Sequence, residues 1–117
     1  MQINKNSSVI DRPGLEARAL VIKAMAHPTR LFIIEELSRG KKCVCELTEM
    51  LGVDVSTVSK HLSVLKSVGI VKDEKKGLMV FYTLIMPCLL PFMNCIARVL
   101  NQDETTSVNP CSCNNCK

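Results

Sequence analysis

Residues 43–84 read CVCELTEMLGVDVSTVSKHLSVLKSVGIVKDEKKGLMVFYTL, and this stretch decides the fold. Apolar residues recur at helical spacing before and after Gly52, which predicts a short helix over about 44–51 and a second helix that begins at Val55 and has Val55 on its apolar side. Asp54 stands at the N-cap position of the second helix, where a carboxylate suits the exposed N–H groups. Two short helices joined by a tight turn are the pattern of a helix-turn-helix.

A β-hairpin is predicted directly after the second helix, which Gly69 ends. The runs 70–73 and 78–84 have extended character, and the second is rich in Val, Phe, Tyr and Thr. Residues 75–77, Lys-Lys-Gly, are predicted to form the turn between them. The predicted fold class is therefore mainly α with a β-hairpin wing, a winged helix-turn-helix.

Helical periodicity continues on both sides of this stretch. Further helices are predicted over about 14–25, 28–39 and 88–100. We therefore expect a flexible N-terminal arm over 1–13, a winged helix-turn-helix domain over 14–100 and a flexible cysteine-rich tail over 101–117.

The bulk composition is that of a small, mildly basic, helical protein. The chain has 117 residues, 47% of them apolar and only 3% aromatic, so we expect one domain with a core of Leu, Ile, Val and Met. The net charge of +4 is compatible with a polyanionic partner. No apolar run is of the signal-peptide or membrane-helix type, so a cytoplasmic location is expected.

Seven cysteines, an odd number at close spacings, indicate metal binding or redox chemistry rather than a disulfide framework. Thiolates are natural ligands of As(III), Sb(III), Cd(II) and Pb(II). Cys43 and Cys45 would point about 200° apart on a regular helix, so we expect them to share one ion only where the helix start is frayed. The tail adds Cys111, Cys113 and Cys116, and a linker that reaches about 30 Å when extended could bring them to this pair. Alternatively the three tail thiols bind As(III) by themselves.

The second helix of a helix-turn-helix can lie in the major groove of DNA and present its first residues to the bases. We predict that it contacts DNA through Ser56, Thr57, Ser59, Lys60 and His61. A wing touching phosphate would use Lys75 and Lys76. Alternatively these residues form a solvated polar face, and His61 is a histidine at the core edge that a neighbouring residue holds.

Four strings of residues make the region 15–100 similar to the ArsR/SmtB family of bacterial metal-responsive repressors. They are Ala-His-Pro-Thr-Arg at 26–30, Cys-Val-Cys-Glu-Leu at 43–47, Val-Ser-Thr-Val-Ser-Lys-His-Leu at 55–62 and Gly-Ile-Val at 69–71. The resemblance implies a homodimer built on the first and last helices and bound to a near-palindromic operator. Binding of an inducer then releases the DNA and permits transcription of a resistance operon.

The arsenic-sensing branch of that family commonly carries the string Cys-Val-Cys-Asp-Leu-Cys, whose three cysteines bind As(III). This chain has Thr48 at the third position, and a hydroxyl is a poor substitute for a thiolate. The third ligand must therefore come from elsewhere, or the ion must be different. Cys88 and Cys95 stand seven apart on the predicted last helix, as dimer-core residues or as further ligands.

The sequence thus predicts a dimeric repressor that As(III) or Sb(III) releases from DNA. A repressor responsive to Cd(II) or Pb(II), and a redox or persulfide sensor on the same scaffold, remain alternatives. An enzyme such as an arsenate reductase or thiol oxidoreductase is disfavoured, because no phosphate-type loop surrounds a cysteine. Salt-dependent affinity for DNA would exclude a structural zinc protein that binds partners without DNA.

Overall fold

The computed structural model describes residues 11–101, in which five helices and three strands follow one another. They are α1 (Arg12–Met25), α2 (Pro28–Leu37), β1 (Lys42–Cys43), α3 (Val44–Leu51), α4 (Val55–Ser67), β2 (Val71–Lys76), β3 (Met79–Leu84) and α5 (Leu89–Leu100). The predicted arm and tail fall outside these residues, except at their inner edges.

The turn between α3 and α4 is set by the two residues that flank it. Gly52 ends α3 in the left-handed region with a φ of 71°, which costs glycine little. Asp54 then stands at the N-cap position of α4, and its carboxylate accepts hydrogen bonds from the hydroxyls of Ser56 and Thr57, at 2.8 and 2.7 Å. The predicted helix-turn-helix is confirmed.

The core is almost wholly aliphatic. Its largest fully buried side chains are Ile33, Ile34, Leu47, Val58, Leu62, Leu65, Ile70 and Val71. Burying a side chain of this size stabilises the fold by about 1.5–3 kcal/mol. Since these residues come from α2, α3, α4 and the start of the wing, one core holds the helix-turn-helix and the wing together.

The strands form one antiparallel sheet in the order β1-β3-β2. Strand β1 was not predicted, and its Cys43 pairs with Phe81 of β3. The hairpin is confirmed, but its predicted turn is wrong. Lys76 pairs with Met79 at the end of the ladder, so the turn is Gly77-Leu78 and both lysines belong to β2.

Two further expectations differ in detail. Helix α1 begins at Arg12 rather than at residue 14, because the side chain of Asp11 caps the helix by accepting a hydrogen bond from Gly14 N–H. Val55, predicted on the apolar side of α4, is 55% exposed. It is the first residue of α4 and lies beyond the core that Val58 and Leu62 enter.

The chain divides into two compact units between Ile85 and Met86. In the second unit, α5 buries Leu89 and Met93 and exposes the apolar residues Phe92, Ile96, Val99 and Leu100. In the first unit, α1 likewise exposes Leu15, Leu20 and Ile22. Over residues 11–101, no helix combines the length and apolarity needed to cross a bilayer.

We expect Leu62→Ala to lower the free energy of unfolding by about 2–5 kcal/mol, because Leu62 is fully buried and its removal leaves a cavity. Met50→Ala is the matched control: Met50 is 48% exposed, and its change should stay within about 0.5 kcal/mol. Urea unfolding at one fixed protein concentration measures both. Equal losses for the two variants would contradict the described core.

Candidate DNA-reading face and dithiol site

The first turns of α4 present small polar side chains to solvent. Ser56, Ser59 and Lys60 are exposed, whereas Thr57 is half-buried. The pKa of Asp54 is lowered, chiefly by the hydrogen bond from Thr57 and next by the one from Ser56. The carboxylate therefore stays ionised and orients both hydroxyls at the helix N-terminus. Short side chains at this end allow close approach of the backbone to a groove.

The wing adds positive charge and an apolar tip. Lys75 and Lys76 are exposed at the end of β2, beside the Gly77-Leu78 turn. The Leu78 side chain is 99% exposed. None of the described residues covers this leucine, which stands in the two-residue turn.

His61 faces the N-terminus of α2. Its Nδ1 lies 3.2 Å from a guanidinium nitrogen of Arg30, and its ring centroid lies 4.4 Å from that of His27. Arg30 Nε also donates to the carbonyl of Ala24 at 2.6 Å, and His27 Nδ1 accepts from Thr29 N–H at 3.0 Å. Of the two alternatives for His61, these contacts match the histidine held at the core edge.

This cluster brings together two strings that are separate in the sequence, the one at 26–30 and the one at 55–62. Arg30 links the end of α1 to α4, the helix that is predicted to contact DNA. In the sequence, His27 and Arg30 stand out only as members of the string at 26–30 that resembles a known family. The signal for their contact is weak, because 31 residues separate Arg30 from His61.

Cys43 and Cys45 converge, contrary to the expectation for two positions of one helix. Cys43 ends β1 with extended backbone (φ −88°, ψ 161°) and is the N-cap of α3, whereas Cys45 lies inside that helix. Their Cα atoms are 5.4 Å apart, as they would also be on a regular helix, but the extended backbone of Cys43 turns its side chain toward that of Cys45, and the structure joins their sulfurs as a disulfide. No fraying of the helix is needed.

The two cysteines of this pair differ in their exposure to solvent. Cys43 is buried, and its backbone N–H donates to the Glu46 carboxylate at 2.9 Å, while Cys45 is exposed. Thr48 turns its hydroxyl to the Val44 carbonyl at 2.8 Å. Within residues 11–101, no group of three or more Cys, His, Asp or Glu side chains is placed to hold a metal ion.

The other cysteines are placed as follows. Cys111, Cys113 and Cys116 lie outside the described residues. Cys88 is exposed at the N-cap of α5, and Cys95 is half-buried on that helix. A third thiolate for the Cys43–Cys45 pair thus remains a prediction.

A depression of about 460 Å³ opens beside the dithiol. It is lined by Cys43, Val44, Cys45, Val55, Ser59, Leu78, Met79 and Val80. These residues come from the start of α3, the start of α4 and the tip of the wing. The site that holds the two sulfurs therefore touches both elements that are predicted to contact DNA.

The sequence is similar to known regulatory proteins. The sequence model of bacterial regulatory proteins of the arsR family matches residues 27–73. An uncharacterized HTH-type transcriptional regulator of Methanocaldococcus jannaschii is 41% identical over 71 residues, which make up 60% of this chain and 80% of the relative.

Two relatives carry names that concern metals. The arsenical resistance operon repressor of Bacillus subtilis is 44% identical over 63 residues, 53% of this chain and 60% of the repressor. A CadC homolog of Staphylococcus aureus, described as a cadmium resistance transcriptional regulatory protein, is 40% identical over 67 residues, 56% of this chain and 55% of the relative. The chain spans little more than half the length of these two relatives.

Solved structures share the fold. The homodimeric winged helix-turn-helix DNA-binding domain of a possible ArsR-family regulator from Mycobacterium bovis superposes with a TM-score of 0.72 and 26% identity, over 85% of this chain and 96% of that one. Reduced HlyU from Vibrio cholerae gives a TM-score of 0.66 and 30% identity, over 77% of this chain and 95% of that one.

We expect acid to destabilise the protein through His61. Its pKa is lowered from 6.5, first by burial and then by the charges of His27 and Arg30. Unfolded His61 therefore gains a proton near pH 6.5 while the folded form does not. The stability contributed by neutral His61 is present above that pH and is lost as pH falls through the lower folded pKa.

Urea unfolding between about pH 7.5 and about pH 5.5 measures this loss, and His61→Gln should flatten the curve in that window. The glutamine cannot titrate but keeps a polar group near Arg30. An identical pH dependence in the variant would show that His61 contributes none of it.

Proposed function

Because the chain belongs to the ArsR family of bacterial regulatory proteins, we propose that it is a dimeric, operator-binding transcriptional repressor controlled by the thiols of Cys43 and Cys45. The observation that carries the proposal is the position of this pair. It stands at the first residues of the helix-turn-helix, in a depression that α4 and the wing also line. The proposed site of action is the cytoplasm, where thiols stay reduced.

DNA binding is assigned to α4 and the wing. Ser56, Ser59 and Lys60 are exposed where a recognition helix meets base edges. Lys75 and Lys76 are exposed at the end of β2, and their proposed role is to contact phosphates, which position a protein on the duplex without reading its sequence. Thr57 acts through the Asp54 cap, and His61 holds α4 in place through Arg30.

Dimerisation is assigned to α1 and α5. Each of these helices, taken by itself, exposes a set of large apolar side chains that a monomer leaves in water. The exposed residues are Leu15, Leu20 and Ile22 on α1, with Phe92, Ile96 and Leu100 on α5. The homodimeric structural relative supports the same assembly for this chain.

The proposed inducer is As(III) or Sb(III), bound by the reduced Cys43–Cys45 pair. Soft thiolates suit these ions, and one of the relatives is an arsenical resistance repressor. The third thiolate is assigned to Cys111, Cys113 or Cys116. A Cd(II)- or Pb(II)-responsive repressor is the alternative, in which more tail thiols complete a larger shell and which the cadmium-related relative favours.

Coupling to DNA follows from the contacts of Cys43. Its strand pairs with β3 of the wing, and the residue after it begins α3. An ion that draws the two sulfurs into its own geometry shifts this junction, so it moves the wing relative to the helix-turn-helix. Ion and DNA then favour different arrangements of one element, which is the requirement for allosteric release.

A second candidate is a thiol redox switch at the same pair. The two sulfurs lie close enough for the structure to join them as a disulfide. A two-electron oxidant such as a peroxide would then take the place of the ion: the two thiols give it two electrons and two protons as the disulfide forms, the peroxide leaves as water, or as water and an alcohol, and no third ligand is required.

We expect the double variant Cys43→Ala with Cys45→Ser to bind the operator normally and to lose release by As(III). Alanine is chosen for Cys43 because a hydroxyl there would be buried. Arsenite should weaken operator binding of the unmodified protein by about 5- to 150-fold and leave the double variant unaffected. Fluorescence anisotropy of labelled upstream DNA, under a phosphine reductant, measures the effect.

The control is Cys88→Ser, which removes an exposed cysteine of α5 and should keep normal release. Failure of the double variant to bind DNA would contradict a purely sensing role for the pair. Release by Cd(II) alone would select the alternative ion. Release on oxidation, with no response to either ion, would select the redox switch.

A further inference from the structure

Val55 is an exposed apolar side chain at the polar end of α4. It is the first residue of the helix and 55% of it is exposed, whereas Val58, three residues later, is fully buried. Ser59 follows Val55 by four residues, so the two side chains lie on the same side of the helix. Val55 therefore belongs to the surface of α4 that is assigned to DNA, although its side chain forms no hydrogen bonds.

The two hydroxyls next to Val55 are already engaged. Ser56 donates to one oxygen of the Asp54 carboxylate at 2.8 Å, and Thr57 donates to the other at 2.7 Å. A hydroxyl has one hydrogen, so both residues keep only lone pairs for the edge of a base. Side-chain hydrogen bonds donated to bases must therefore come from later residues of α4, such as Ser59 and Lys60, and Val55 stands ahead of both.

The major groove of DNA presents one prominent apolar group, which is the C5 methyl of thymine. The other groups that distinguish the base pairs there are hydrogen-bond donors and acceptors. A valine side chain pressed against those groups takes them out of water and gives no hydrogen bond in return. Against a thymine it instead covers a methyl group, which favours binding. An exposed valine on a helix in this groove therefore selects thymine.

We infer that Val55 is a specificity-determining residue, and that it contacts the C5 methyl group of one thymine in each half-site of the bound DNA. This inference rests on the proposed function, because it takes α4 as the helix that enters the major groove. It adds the base that this residue selects and the chemical group through which the selection occurs. A homodimer has two copies of α4, so two thymines are contacted.

The test removes the methyl group from the DNA without changing its base pairing. Footprinting delimits the bound segment of the upstream DNA, and duplexes of that segment are made with thymine or with deoxyuridine. Anisotropy then measures the affinity of the full, reduced chain for each duplex. Loss of one methyl contact should weaken binding about fourfold, so loss of both should weaken it about 15-fold. Single replacements then locate the contacted thymine in each half-site.

Val55→Ser is the matching change in the protein. Serine removes both methyl groups of valine at an exposed position, so the fold is unaffected. The variant should bind the thymine and deoxyuridine duplexes with nearly equal affinity. Because deoxyuridine also changes the deformability of DNA, the ratio of the two affinities is compared between the variant and the unmodified protein.

Val53→Ser is the matched control. It makes the same change at a valine that is 41% exposed but lies in the turn before the N-cap of α4. This variant should keep the ratio of about 15 between the two duplexes. A contact of Val53 with the DNA backbone would weaken both duplexes alike and leave the ratio unchanged.

Equal affinities of the unmodified protein for the two duplexes would overturn the inference. A ratio that persists in Val55→Ser, or that disappears in Val53→Ser as well, would also overturn it. The proposed function fails separately, if the unmodified protein binds the upstream DNA no more tightly than unrelated DNA of the same length, and the inference then fails with it. A repressor that binds its DNA equally well with thymine and with deoxyuridine would overturn only the inference.

Discussion

The junction between Cys43 and Val44 is the local feature on which the site depends. At this bond the backbone leaves an extended strand and enters a helix. The Glu46 carboxylate accepts a hydrogen bond from the Cys43 N–H, which the strand and the helix leave unpaired. The pairing of Cys43 with Phe81 holds the same residue to the wing. One residue therefore joins the thiol site, the start of the helix-turn-helix and the sheet.

Helix α4 is held in addition by polar contacts of His61, which lie away from the Cys43 junction. Arg30 reaches both the Ala24 carbonyl and His61, so the end of α1 and the DNA-reading helix share one guanidinium. Between these two restraints lies the aliphatic core of Val58, Leu62 and Leu65. The core thus holds α4 along its buried side, whereas the wing and the start of α3 meet at Cys43.

Local sequence signals predicted most of the helices and strands, whereas contacts between residues far apart in the sequence could not be predicted. Gly52 and Asp54 mark the helix-turn-helix turn because each acts on its immediate neighbours. Strand β1 has only two residues and exists through pairing with β3, so no periodicity signals it. For the same reason, helix geometry applied to Cys43 and Cys45 did not predict that the two sulfurs converge. Val55 was predicted on the apolar side of α4 but lines the depression.

The central claim is that the thiol site and the DNA face share one conformational equilibrium. Thermodynamic linkage then requires operator DNA to weaken arsenite binding by the same factor by which arsenite weakens operator binding. Calorimetric titration of the reduced protein with arsenite, with and without saturating operator DNA, measures that factor directly. Matching factors well above one are predicted, and equal arsenite affinities in the two titrations would contradict the account.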